Sequence, residues 1–305
     1  MNNQPNDDQI LVATDFSPYA TAALRQAVWL ARKSGGHLIL ANAIPDFSMS
    51  VYWGPLERDA NQRTLRERSD TAMRHAVVDV NAVDLDVKLV TLVGEPFLEI
   101  TRAVQERGCS LVLAGTRGHS KWEQFFMGST AKRLIRNCPS SVWIARAEHM
   151  GPPKVVLAAT DFSDASLKAV KEGLKIAQHA GAEFHLLHIV DSNDVPEDMI
   201  SRIPAGSSLR QEINEEATRR LEEFLDSLAV DRTQIKVHLS WGTPWQEIQR
   251  ISRHQAADLI VIGTVGRSGI KGMLIGNTAE KVLDTCDCSI LTVKPDGFVS
   301  PISRD

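Results

Sequence analysis

The chain has 305 residues, 43% of them hydrophobic and 24% charged, and its 34 basic and 38 acidic side chains give a formal net charge of −4. This balance excludes disordered, collagen-like and low-complexity classes, and it argues against a long nucleic-acid polyanion as partner. The length suits two domains of roughly 150 residues, each able to bury a core without disulfide staples.

In chain order, Ile10-Leu11-Val12-Ala13 is an apolar run that predicts a buried strand, and Ser17-Pro18 is a good N-cap and first helical residue. Leu24, Ala27, Val28, Leu30 and Ala31 give the following helix one apolar face, and Gly35-Gly36 ends it before a strand over His37 to Ile44. Residues 56–80 read as helix, 85–92 as strand, 96–107 as helix from Pro96, 110–114 as strand, 129–137 as helix and 141–146 as strand. Strands this apolar, alternating with helices, predict a parallel sheet covered on both faces.

The chain then repeats itself. Ala13-Thr14-Asp15-Phe16-Ser17 recurs as Ala159-Thr160-Asp161-Phe162-Ser163, Gly94-Glu95-Pro96 as Gly242-Thr243-Pro244, and Gly115-Thr116-x-Gly118 as Gly263-Thr264-x-Gly266. A period this long means two copies of a domain and not a solenoid. Strands are predicted near 154–159, 183–190, 235–240, 258–262 and 288–294, with helices between. Gly151-Pro152-Pro153 reads as the linker, which divides the chain into domains 1–150 and 151–305. So short a linker leads us to expect the domains to pack together.

The repeated residues fall at predicted strand ends, where open parallel sheets bind ligands. Asp15 and Asp161 follow each first strand; Gly115 and Gly263 end each fourth and open a loop spaced G-x2-G-x9-G. The later members are Gly118, Gly128, Ser129 and Thr130 in the first copy, and Gly266, Gly276, Asn277 and Thr278 in the second. Glycines admit close approach of backbone N–H groups, and the helix start offers unpaired amides to an anion, a combination that suits a phosphate chain. On the residues alone the same pattern also suits turn-forming glycines with Ser129 or Asn277 as simple N-caps. It is not a Walker A loop, since no Gly-Lys-[Ser/Thr] follows.

These motifs resemble the universal stress protein family in its tandem two-domain form, over nearly the whole chain. The resemblance implies two Rossmann-like α/β domains, each an open five-stranded parallel sheet of order 3-2-1-4-5 flanked by helices. It further implies ATP, or AMP or ADP, at the strand ends, with the aspartate by the adenosine and the glycine loop around the phosphates. Matched by position, the site residues are Asp15, Gly115, Gly118, Gly128, Ser129 and Thr130, and Asp161, Ile189, Gly263, Gly266, Gly276, Asn277 and Thr278. Asn277 stands where ATP-binding relatives carry Ser or Thr, and Ala43 stands opposite Ile189. The family implies pairing of the two domains as an internal pseudo-dimer, and association of two chains into a homodimer.

Charge separates the copies: residues 115–146 carry six basic side chains against one acid, residues 263–294 four against three. Phosphate attraction favours the first site and adenosine contacts the second; the reading leans to the first. Glu183, His185, His188 and Asp191 lie along one strand whose side chains alternate faces, which argues against a metal site. Cys109, Cys138, Cys286 and Cys288 lack C-x2-C spacing and read as buried thiols. Trp53, Trp241 and Trp245 fit core packing better than a second ligand pocket. No nucleophile–base pair and no carboxylate cluster for magnesium stands out, so the expectation is a stress-response nucleotide-binding or sensing module and not a fast enzyme. Slow ATP hydrolysis, autophosphorylation, and a degenerate scaffold for a protein or apolar molecule are the alternatives. The amino terminus lacks a secretory pattern and no apolar run reaches a membrane span, so a cytoplasmic protein without a membrane partner is expected.

Overall fold

In the computed structural model, the described residues are 6–48, 54–116, 127–148, 150–191, 195, 203–204, 206–266 and 275–303. They divide into two compact units, Met1–Pro152 with Phe298–Asp305, and Pro153–Gly297.

The first unit runs β1 (Asn6–Ala13), α1 (Pro18–Ser34), β2 (His37–Ile44), α2 (Pro55–Asp79), β3 (Val87–Val93), α3 (Pro96–Arg107), β4 (Cys109–Gly115), α4 (Ser129–Asn137) and β5 (Ser141–Ala145). All pairings are parallel, and they set the strands in the order β3-β2-β1-β4-β5. Ile10, Leu11 and Val12 are buried irrespective of which face they point to, as a strand covered on both sides requires. Helix α1 starts where Ser17 Oγ accepts the Ala20 N–H at 3.2 Å and stops at Gly35, whose φ of 74° is left-handed. The tail returns to this unit, with Gln105 Nε2 donating to the Ile302 carbonyl. Trp143 in β5 is fully buried, and burial of such a side chain contributes about 2–3 kcal/mol.

The second unit repeats the scheme with β6 (Val155–Thr160), α5 (Asp164–Ala180), β7 (Glu183–Val190), α6 (Ser208–Leu228), β8 (Ile235–Trp241), α7 (Pro244–His254), β9 (Leu259–Gly263), α8 (Asn277–Thr285) and β10 (Ser289–Val293). Its order is β8-β7-β6-β9-β10, again parallel. Each central strand therefore has its successor on one side and the fourth strand of its unit on the other. Within each unit the connections from the first and the fourth strand leave in opposite directions, which opens a crevice at their carboxyl ends.

A histidine pair lies on one face of the second sheet. His185 Nδ1 is 2.9 Å from His238 Nε2 with the rings stacked, and Glu183, itself held by Lys236, lies 3.4 Å from His185 Nε2. Burial, aided by Lys236, lowers the His185 pKa; burial, then the charges of His185, His254 and Lys236, lowers that of His238. Both histidines thus prefer neutrality in the fold. Their contribution to stability is complete above the unfolded value of about 6.5 and is lost as pH falls below it. Urea midpoints should drop between pH 7.5 and 5.5, and His238→Gln should flatten that drop; parallel profiles for the two proteins would count against the assignment.

All four cysteines are buried, and burial pushes Cys109 up to about 11. Because the thiolate is the reactive form, a chromogenic disulfide reagent at pH 8 should titrate no thiol rapidly in the native protein and all four in denaturant. A fast native reaction would show that a cysteine opens to solvent.

Candidate nucleotide site

Each crevice is floored by a strand-to-helix turn that the repeat preserves. In the first unit the Phe16 N–H donates to Thr14 Oγ1 and the Ser17 N–H to Asp15 Oδ1, both at 3.0 Å. In the second, the Phe162 N–H donates to Thr160 Oγ1 at 3.0 Å, while the Ser163 N–H and hydroxyl both donate to Asp161 Oδ1, at 3.1 and 2.6 Å. The phenylalanine between these bonds has φ of 65° in both copies. A left-handed conformation costs a bulky residue about 1–2 kcal/mol, and the flanking side-chain bonds hold it there. Asp15 and Asp161 thus each commit one oxygen to the turn. Nothing in the sequence marks the strained phenylalanine except its recurrence.

The second strand braces this floor differently in the two units. Asn42 Nδ2 donates to the Thr14 carbonyl at 2.7 Å, and its Oδ1 accepts from Ser69 Oγ at 2.9 Å; beside Ser69, the Thr91 hydroxyl donates to Asp70 at 2.7 Å. At the matching place in the second unit, His188 Nδ1 donates to the Thr160 carbonyl at 2.9 Å, which fixes its tautomer. The Phe162 ring packs on His188 with centroids 4.1 Å apart, and the Arg220 guanidinium lies 4.7 Å from the centre of the same ring. One floor is wired by hydroxyls and amides, the other by tilted, packed rings. Ile189 on the same strand is buried and Ala43 is half-buried.

The glycines divide by role. A Cβ on Gly115 would lie 2.7 Å from the carbonyl carbon of Tyr19 and 2.8 Å from the Ala20 nitrogen, so this glycine lets the end of β4 pack against the first turn of α1. The matching approach of Gly263 to Ala165 is looser, at 3.3 Å. On Gly266 a Cβ would meet Asp161 Oδ2 at 2.5 Å, which brings these two predicted residues into contact. Gly118 lies outside the described residues, as do Arg117 and Lys121.

The far ends of the loops are pinned alike. The Gly128 N–H donates to the Thr116 carbonyl at 2.8 Å, and the Gly276 N–H to the Thr264 carbonyl at 2.7 Å. These glycines, at φ of −62° and −80°, are the N-caps; Ser129 and Asn277 are the first helical residues and not the caps. Having no side chain, the caps provide no acceptor. The first intrahelical bonds run from Lys132 to Gly128 and from Glu280 to Gly276, which leaves the amides of Ser129, Thr130 and Ala131, and of Asn277, Thr278 and Ala279, ahead of the ladder. Thr130 and Thr278 are half-buried beside them, while Ser129 and Asn277 are exposed.

The excess of basic residues in the first copy is smaller at the crevice than its count implies. Arg133 is paired with Glu95 at 3.1 Å, outside the counted segment, and lies over the Phe97 ring at 4.7 Å. Among the described residues no three His, Cys, Asp or Glu side chains are placed to hold a metal ion. Trp241 donates to Asn214 Oδ1 at 2.7 Å and packs on the Val190, Ala217 and Ile213 cluster, a packing role; Trp53 lies outside the described residues.

The family model described as the universal stress protein family matches residues 8–146 and again 153–294. The chain belongs to the universal stress protein family. This tandem universal stress protein is 28% identical over 310 residues to universal stress protein E of Escherichia coli strain K12, covering 97% of this chain and 96% of that one. Its similarity to universal stress protein MJ0531 of Methanocaldococcus jannaschii is 31% over 147 residues, 46% of this chain and 82% of that protein. Among solved structures, a universal stress protein from Archaeoglobus fulgidus has the same fold, with a TM-score of 0.69 at 20% identity over 95% of this chain and 99% of that one. No helix among the described residues is long and apolar enough to cross a membrane.

Proposed function

We propose that this stress-response protein binds an adenine nucleotide, ATP before AMP or ADP, at the carboxyl ends of its central strands, and acts as a binding module and not as a fast enzyme. The observation that carries the proposal is the duplicated juxtaposition of uncapped helix amides with an aspartate-braced turn at the point where the strand connections diverge. In this reading the amides of Ser129, Thr130 and Ala131 face the phosphates, with the Thr130 hydroxyl as an added donor. Asp15 is directed to the adenosine, and Gly118 and Gly128 keep the approach open. Asn277, Thr278, Gly266, Gly276 and Asp161 take those parts in the second unit, with Ile189 as an apolar contact. Gly115 and Gly263 serve the site by letting the fourth strand close on the first helix. An aspartate that already spends an oxygen on its turn is a poor general base, which favours binding over turnover.

Native mass spectrometry of the purified protein tests the proposal. A mass addition equal to an adenine nucleotide, reduced in Gly128→Val, is the expected result. A bare chain that also shows no rise in Tm with added ATP would overturn it.

A further inference from the structure

At the opposite edge of the first sheet, by the amino ends of β1, β2 and β3, lies a crevice of about 450 Å³. Strand pairing builds it: Gln9 sits beside His37, and Ile39 beside Lys88, so one face of the sheet presents all four. Arg107, the last residue of α3, lines it as well, with Asp86 also at its edge.

Two polar atoms here have no partner. Gln9 Oε1, an acceptor, and Arg107 Nε, a donor, are both buried and without a hydrogen bond. Leaving such an atom unsatisfied costs about 1–3 kcal/mol, and two around one crevice point to a ligand that satisfies both. Neither Arg107 nor Lys88 forms an ion pair with another described residue. Ile39, which is buried, gives the crevice an apolar floor.

We propose that this crevice binds a small organic carboxylate that carries a hydroxyl group and an apolar body. Its carboxylate lies side-on to Arg107, taking Nε–H and a neighbouring Nη–H as a bidentate pair, with Lys88 as the second cation. The hydroxyl donates to Gln9 Oε1, and the apolar body rests on Ile39. Asp86 at the edge selects against more highly charged anions, which separates this site from the candidate nucleotide crevice at the other end of the strands.

Amide chemical shifts of the full-length protein, titrated with salicylate as the probe, test this, with inorganic phosphate and ATP as separate arms. The expected result is saturable movement of the Gln9, Ile39, Lys88 and Arg107 amides with a Kd near or below about 1 mM. Arg107→Gln should weaken it at least tenfold with no fall in Tm. Lys88→Gln, on an exposed strand position, should weaken it severalfold and serves if the arginine variant fails to fold. Absence of saturation with salicylate, equal movement with phosphate, or undiminished affinity in Lys88→Gln would each overturn the proposal.

Discussion

Gly115→Val is expected to destabilise the first unit by about 3 kcal/mol or more, near the upper end of what overpacking costs. The reason is that its Cβ would sit 2.7–2.8 Å from the backbone of Tyr19 and Ala20, atoms anchored in the first turn of α1 and unable to swing aside. Gly263→Ala in the second unit meets Ala165 at 3.3 Å, a contact that a shift of a few tenths of an ångström relieves, and should cost about 1 kcal/mol. Urea unfolding followed by circular dichroism checks both. The Gly115 variant should show an early transition for one unit with the other unchanged, and the Gly263 variant only a small displacement. Equal, small effects at both positions would mean that β4 does not press on α1 as described, and the glycine would need a ligand-based explanation instead.

The second large effect concerns Asp161. Its Oδ1 accepts two hydrogen bonds from Ser163 and thereby closes the turn that holds Phe162 in a left-handed conformation. Asp161→Ala removes that acceptor and should cost about 1–3 kcal/mol, since the turn's donors lose a bond and the strain loses its brace. Asp161→Asn keeps an acceptor in place and should cost less than about 1 kcal/mol. Nucleotide affinity separates the turn from the ligand. If the carboxylate accepts from the ribose, both variants bind ATP at least tenfold more weakly in the second unit, the asparagine form with little loss of Tm. Full affinity in Asp161→Asn would confine the aspartate to a structural part.

Much of the architecture was legible in the sequence because the determinants are local. Ser17-Pro18 and Gly35 bound α1 through their own backbone chemistry, Pro96 starts α3, and the unbroken apolar runs of the central strands require cover on both faces. The duplication was legible from five-residue identity alone. What the sequence concealed depends on partners far along the chain. The strain at Phe16 and Phe162 is visible only once Thr14 and Asp15, or Thr160 and Asp161, are seen to bond around it. Gly115 reads as a ligand-loop glycine by spacing, yet its tightest constraint is Tyr19, nearly a hundred residues earlier. Counting basic residues exaggerated the attraction of the first crevice, because Arg133 is engaged by Glu95, a residue outside the counted window. Conversely, the alternation that places His185 and His188 on opposite faces was derivable beforehand, whereas their partners, His238 and the Thr160 carbonyl, come from the two strands that flank theirs.

Isothermal titration of ATP into the full-length, ligand-stripped protein tests the central claim most directly. Saturable heat with a stoichiometry of one or two per chain, reduced by one site in Gly128→Val, is the predicted result. No saturable binding to a protein whose units each show a cooperative unfolding transition would contradict it.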